Sequence, residues 1–214
     1  MDEEITIIDS NARKEIIKNF FINNKRKLRI IVSIILVIII GYLSFEKSKE
    51  RTKIKLANQY NLALIDLSPE NKQKTIDEMI NVIKSNDATY SPLALYHLLD
   101  NNLLENNDEI NILFNELIEK TNLENEIKNL IIYKKALFNS DFVSENELLK
   151  ILNPVINSES IWKSHTLYLL AEFFYSKGEK QKAKEFFNQI LVLPNANSAI
   201  KNESQKRLNR DLGE

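Results

Sequence analysis

The stretch "KRKLRIIVSIILVIIIGYLSFEK", residues 25–47, decides how the rest of the chain is to be read. It admits three readings: a cleaved signal peptide, a helix buried in a soluble core, or a retained membrane anchor. From Ile30 to Phe45 only Ser33, Gly41, Tyr42 and Ser44 are not plainly apolar, so a helix here has no polar face for water. A helix of a soluble domain normally keeps such a face. At about 1.5 Å per residue the run spans about 24 Å, against a hydrocarbon core of about 30 Å. Leu28 extends it, Lys27, Arg29 and Lys47 can snorkel to the headgroups, and Tyr42 suits an interface. A signal peptide needs a short basic leader and a small-x-small exit site, whereas this run is followed by "GYLSFEKSKE". The predicted element is an uncleaved anchor over residues 28–46, held in lipid by Ile30, Ile34, Val37, Ile40 and Phe45.

Orientation follows from the basic residues at the two ends. Arg13, Lys14, Lys18, Lys25, Arg26, Lys27 and Arg29 precede the run, and Lys47, Lys49, Arg51, Lys53 and Lys55 follow it. The richer flank is expected to stay in the cytoplasm. That makes residues 1–27 a cytoplasmic leader and residues 47–214 a domain on the far side. Within the leader, Ile16, Ile17, Phe20 and Phe21 form an apolar face with Arg13, Lys14 and Lys18 away from it. A helix lying in the membrane interface and a contact for a cytoplasmic partner both fit that pattern.

The chain has 214 residues, 43% hydrophobic and 28% charged, with a formal net charge of -1. Outside the anchor this is the balance of a globular domain large enough for its own core. The near-neutral charge argues against a nucleic-acid binder, which would carry a basic stripe. Without cysteine there is no disulfide, thiol chemistry or thiolate metal site. Three glycines, Gly41, Gly178 and Gly213, and four prolines, Pro69, Pro92, Pro154 and Pro194, are too few turn residues for a sheet-rich fold. An all-α chain is expected.

The apolar spacing repeats. Ile76, Met79, Ile80 and Ile83 fall on one helical face, as do Ile110, Leu113, Phe114 and Leu117, then Leu148, Ile151, Leu152 and Val155, then Ala183, Phe186, Phe187 and Ile190. These stripes start 34, 38 and 35 residues apart, the period of a helix-turn-helix solenoid. Partner helices are expected upstream of each, through Tyr60, Ala63, Leu64 and Leu67, through Ala94, His97 and Leu98, and through Leu167, Leu170, Ala171 and Phe174. The third partner, around Ile127, Leu130, Ile131 and Leu137, is out of phase. Ser91 before Pro92 reads as an N-cap, and Ser144 with Glu147 as a capping box. A last helix is expected over residues 198–210. A plain helical bundle would use the same amphipathic stripes.

The last pair reaches a named pattern. In "SHTLYLLAEFFYSKGEKQKAKEFFNQILVLPNAN", residues 164–197, the residues Leu167, Leu170, Ala171, Phe174, Gly178, Ala183, Phe187 and Ile190 resemble the tetratricopeptide (TPR) consensus, with Pro194 one place early. The other pairs keep the period and mostly lose the motif. The groove positions of TPR repeats then fall on His165, Tyr168, Glu172 and Tyr175, a mixture suited to an extended peptide; a solvated helix face is the alternative.

The whole chain resembles the ancillary subunits of the bacterial SecYEG translocon that carry one N-terminal anchor and a TPR-like periplasmic domain. The likeness rests most on "ARKEIIKNFFINNKRKLRIIVSIILVIIIGYLSFEKSKERTKIKLANQYNLAL", residues 12–64. It implies a single-pass inner-membrane protein, N-terminus cytoplasmic and C-terminal domain periplasmic. Its implied partners are translocon subunits, exported chains and periplasmic chaperones. An envelope-assembly or division scaffold with no role in translocation is the competing reading.

Chemistry is not where the sequence points. There is no phosphate-cradling glycine loop and no nucleophile elbow, and His97 and His165 lie far apart in sequence. His97 reads as a packed histidine. The acidic run "ENNDEIN", residues 105–111, lacks the glycine and carboxylate spacing of a calcium loop and reads as a helix cap. No cofactor, no metal and no enzymatic activity are expected. Trp162, the sole tryptophan, is either a core residue or a partner anchor.

Overall fold

The computed structural model describes residues 15, 16 and 18–213, and every regular element among them is helical. Arg13, Lys14 and Ile17 of the leader lie outside the described residues. Residues 18–23 are helical, a turn follows at Asn24, and helix α1 then runs Lys25–Ile65; backbone bonds from Asn24 to Phe20 (3.0 Å) and from Leu28 to Asn24 (2.9 Å) flank the turn. The chain divides into two compact units between Lys55 and Leu56.

In the first unit, α1 is long and apolar enough to cross a membrane. Its side chains from Ile30 to Ile40, including Ile34 and Val37, are exposed, as are Tyr42, Leu43 and Phe45. The isoleucines are poor helix formers in water, but in hydrocarbon the helix is the one local structure that satisfies every backbone group. Ser33 keeps its hydroxyl satisfied by donating to the Arg29 carbonyl at 2.9 Å. No break separates the apolar run from the helix expected after it; both belong to α1.

The second unit continues with α2 (Lys72–Lys84), α3 (Tyr90–Asp100), α4 (Asn107–Lys120), α5 (Asn125–Asn139), α6 (Glu145–Ile156), α7 (Lys163–Ser176), α8 (Lys180–Val192) and α9 (Ser198–Asp211). From α2 onward each helix packs against the next in the chain, and α2 with α4, α5 with α7 and α7 with α9 also touch. The core accordingly forms two clusters in chain order. The first runs from Ala63 to Ile131 and the second from Ala136 to Leu212, so α5 contributes to both.

The four apolar stripes face inward as their spacing predicts: Met79, Ile83, Phe114, Leu117, Leu148, Leu152, Val155, Ala183, Phe187 and Ile190 are wholly buried. So are Leu170 and Ala171, with Leu167 and Phe174 nearly so. Phe174 stacks on Phe186 at 5.4 Å, which fills the wedge between α7 and α8. At Gly178 the backbone turns left-handed (φ +80°), with the Glu179 and Gly178 amides donating to the Phe174 and Tyr175 carbonyls at 2.9 and 3.0 Å. This Schellman closure satisfies two end carbonyls of α7 and reverses the chain into α8.

Two expectations are corrected. In α5 the inward face carries Ile131, Ile132, Ala136 and Asn139, while Ile127 and Leu137 are exposed. The face is rotated because Asn139 is drawn in by Asn111 of α4. Their side-chain amides exchange hydrogen bonds of 2.9 and 2.8 Å, and a buried amide needs such a partner. The second correction concerns Ser91, which does not cap α3. The helix starts at Tyr90, and Asp87 Oδ1 accepts from the Thr89 and Tyr90 amides at 2.9 and 2.8 Å. Ser91 is buried instead and donates to the Val82 carbonyl at 2.8 Å. The capping box of Ser144 and Glu147 forms as read, and the acidic run is a cap: the Asn106 side chain accepts from the amides of Asp108 and Glu109.

Candidate functional site

The four groove positions share one face of α7 and are all half-buried. Two of them, Glu172 and Tyr175, meet Arg207 of α9. The Glu172 carboxylate accepts from Arg207 Nε and Nη2, each at 2.7 Å, and the Arg207 guanidinium lies 4.4 Å from the centre of the Tyr175 ring. Arg207 is also paired with Asp211 one turn on, and its pKa is raised chiefly by the Glu172 contact. Tyr168 packs edge-on against Phe187 at 5.6 Å. Desolvation, reinforced by Glu172, pushes the Tyr168 hydroxyl up to about 12. The Tyr168, Glu172 and Tyr175 side chains are thereby engaged inside the fold.

His165 belongs to a different constellation. Its ring lies 5.1 Å from Trp162 and 6.0 Å from Tyr133 of α5, while Tyr133 and Trp162 stack at 6.0 Å with 20° between planes. This aromatic set is built at the seam between α5 and α7. Glu126 near the start of α5 holds the seam shut, accepting from the Ser160 hydroxyl at 2.7 Å and the Ile161 amide at 3.3 Å. On the other side, the Ser164 hydroxyl accepts from the Asn197 amide at 3.2 Å, and the Asn197 side chain caps α9 through the Ala199 and Ile200 amides.

Between these ties opens a cleft of about 380 Å³ lined by Ile161, Trp162, His165, Asn195 and Asn197. Ile161 is 62% exposed at its rim. Burial lowers the His165 pKa, with the Ile161 carbonyl acting weakly the other way, so the imidazole is neutral near pH 7. The lining therefore carries no charge. It offers aromatic faces, one aliphatic side chain and two amides, which can hold an apolar peptide side chain and hydrogen-bond the adjoining backbone.

A second cleft, about 690 Å³, lies between α4, α5 and α6 and is lined by residues that include Asn111, Lys135, Asn139 and Phe142. Its polar groups largely satisfy one another: besides the Asn111 and Asn139 exchange, Lys135 Nζ donates to Asn115 at 2.6 Å, and burial lowers the lysine pKa. His97 is half-buried on α3 with Nδ1 3.2 Å from the Asn101 amide nitrogen. Among the described residues no group of three or more His, Cys, Asp or Glu side chains is placed to hold a metal ion.

The cleft around Trp162 is assembled from the start of α7 and the turn before α9, residues more than thirty positions apart, with Tyr133 of α5 stacked on Trp162. Its one local signal was the lone tryptophan beside Ile161. No protein-family model matches the chain, and no curated protein or solved structure matches it.

Proposed function

We propose that the protein is a single-pass, membrane-anchored interaction subunit whose second unit is a TPR-like solenoid that docks uncharged peptide segments at the Trp162 cleft. The observation that carries this reading is the uncharged, aromatic cleft of Ile161, Trp162 and His165 at the seam of two helices. Support for the solenoid comes from helices that pack in chain order, with core clusters that follow one another along the sequence. The order of segments, with a leader, anchor and helical hairpins, supports placement beside the SecYEG translocon in a bacterial inner membrane. The basic leader supports a cytoplasmic N-terminus and a periplasmic second unit. In that setting the cleft receives exported chains and passes them to periplasmic chaperones, with no chemistry of its own.

The test is photo-crosslinking in native membranes, with probes replacing Ile34, Val37, Ile161 and Trp162 in turn. Anchor probes joined to a translocon subunit, with cleft probes joined to exported chains or chaperones, is the expected outcome. Anchor probes joined to lipid alone, with cleft probes joined to envelope-assembly or division proteins, would replace this reading with that of a scaffold.

A further inference from the structure

The helical stretch that leads into α1 carries a charge pattern that bears on more than the orientation of the apolar run. Residues 16–45 contain no Asp or Glu, yet Lys18, Lys25, Arg26, Lys27 and Arg29 all lie between residues 18 and 29. Lys25 and Arg29 stand at i and i+4 on one face of α1, and Lys18 lies in the short helical stretch just before the turn at Asn24. The Arg29 Nε donates to the Lys25 carbonyl at 3.4 Å, which keeps the two cations one turn apart. Like charges at that spacing repel one another. The other flank of the apolar run is built differently: Lys47, Lys49, Arg51, Lys53 and Lys55 are interleaved with Glu46 and Glu50, within one turn of several of them.

Apolar groups accompany the basic stripe. Ile16, Phe20, Phe21 and Ile22 are all more than half exposed, and Phe20 and Phe21 meet edge-on at 6.0 Å. Exposed aromatic and aliphatic side chains interleaved with uncompensated cations, directly continuous with an apolar run, complement one kind of surface. That surface has an apolar interior and a negatively charged face.

We propose that Lys18, Lys25, Arg26 and Arg29 form a docking stripe for anionic phospholipid headgroups, in the leaflet at the N-terminal end of the anchor. Phe20, Phe21 and Ile22 enter the acyl boundary beside it. The stripe holds the leader on the membrane surface and fixes the depth of α1. It rests on the reading of α1 as a membrane span, and it selects lipid by charge at one end of that span.

The experiment uses the full chain in uncharged detergent micelles doped with equal amounts of phosphatidylglycerol and phosphatidylcholine, with retained lipids counted by native mass spectrometry. Phosphatidylglycerol is expected to exceed phosphatidylcholine by at least about fivefold, the factor that one basic residue at an anionic surface supplies. The preference should shrink on raising salt in the unaltered protein, a readout independent of any variant. Replacing Lys18, Lys25, Arg26 and Arg29 by Gln should bring it to parity. The matched replacement of Lys47, Lys49, Arg51 and Lys53 should leave it in place. Equal retention of both lipids by the unaltered protein, or loss of the preference in the second variant alone, would overturn the stripe while leaving the span intact. Retention of neither lipid would likewise overturn the stripe, whereas release of the unaltered protein from native membranes by carbonate would overturn the span reading and the stripe with it.

Discussion

Arg207 and Glu172 meet in a two-pronged ion pair, Nε and Nη2 each 2.7 Å from a carboxylate oxygen, which ties α9 across the face of α7. The pair sits over Tyr175 and beside Tyr168, so these half-buried side chains are engaged by neighbouring residues of the same chain. Only Ser204 and Leu208 of α9 are buried. A helix with so small an apolar face depends on such a tie.

Arg207→Ala should therefore loosen α9 selectively. Bidentate charge-assisted bonds are strong, and discounting for the partial exposure of Glu172 leaves a loss on the order of 1–2 kcal/mol. Hydrogen exchange should rise in residues 198–212 while α2 to α4 keep their protection. Unchanged protection of α9 would show that Leu208 and Leu212 hold it without the ion pair.

Gly178→Ala should destabilise by about 1–2 kcal/mol through the backbone alone, because φ is +80° and a Cβ there meets no atom within 4 Å. Gly178→Asn should cost less, since the chain already places Asn86 and Asn102 at positive φ. Chemical denaturation of the two variants checks the order. Equal losses would point to a packing role for the site.

Acidification should weaken the second unit as pH falls through about 6.5, the unfolded imidazole pKa, because of its two half-buried histidines. Burial depresses the folded pKa of both His97 and His165. The unfolded chain, with imidazoles near 6.5, thus binds protons more readily. Stability is full above the unfolded pKa and declines as pH falls through it towards the folded values. His165→Gln should flatten part of that slope and His97→Gln the rest, measured as melting temperature against pH. A slope unchanged in both variants would assign the pH dependence to other groups.

Replacing Ile34 and Val37 together by Arg should remove the protein from carbonate-washed membranes. Each Arg near the centre of a span costs about 2.5–3.5 kcal/mol on the insertion scale, so two offset most of what the isoleucine-rich run contributes. Full retention of the double variant would mean that the protein is held at the membrane by something other than α1.

The site was less legible than the fold, and Trp162 and Asn139 show why. The long apolar helix, the inward stripes, the Gly178 turn and the Ser144 and Glu147 capping box are all written within a turn or two of sequence. The 3.6-residue period and the orphan amides of a helix end are local properties of the backbone. The aromatic cleft instead joins Tyr133 to Trp162 and His165, and the rotated face of α5 is set by an amide pair between Asn111 and Asn139. No local rule announces either contact.

By itself the sequence determined that this protein is helical, that one helix is apolar on every side, and which residues of most helices turn inward. These follow from the spacing of apolar side chains along a helix of known pitch. Tertiary structure alone decided that Arg207 of α9 engages Glu172 and Tyr175, that the Asp87 side chain and not Ser91 binds the first amides of α3, and that an uncharged cleft opens at Trp162. Each of those outcomes is a choice among partners that a side chain meets only after folding, when desolvation makes an ion pair, a buried hydroxyl or an aromatic stack worth more than contact with water.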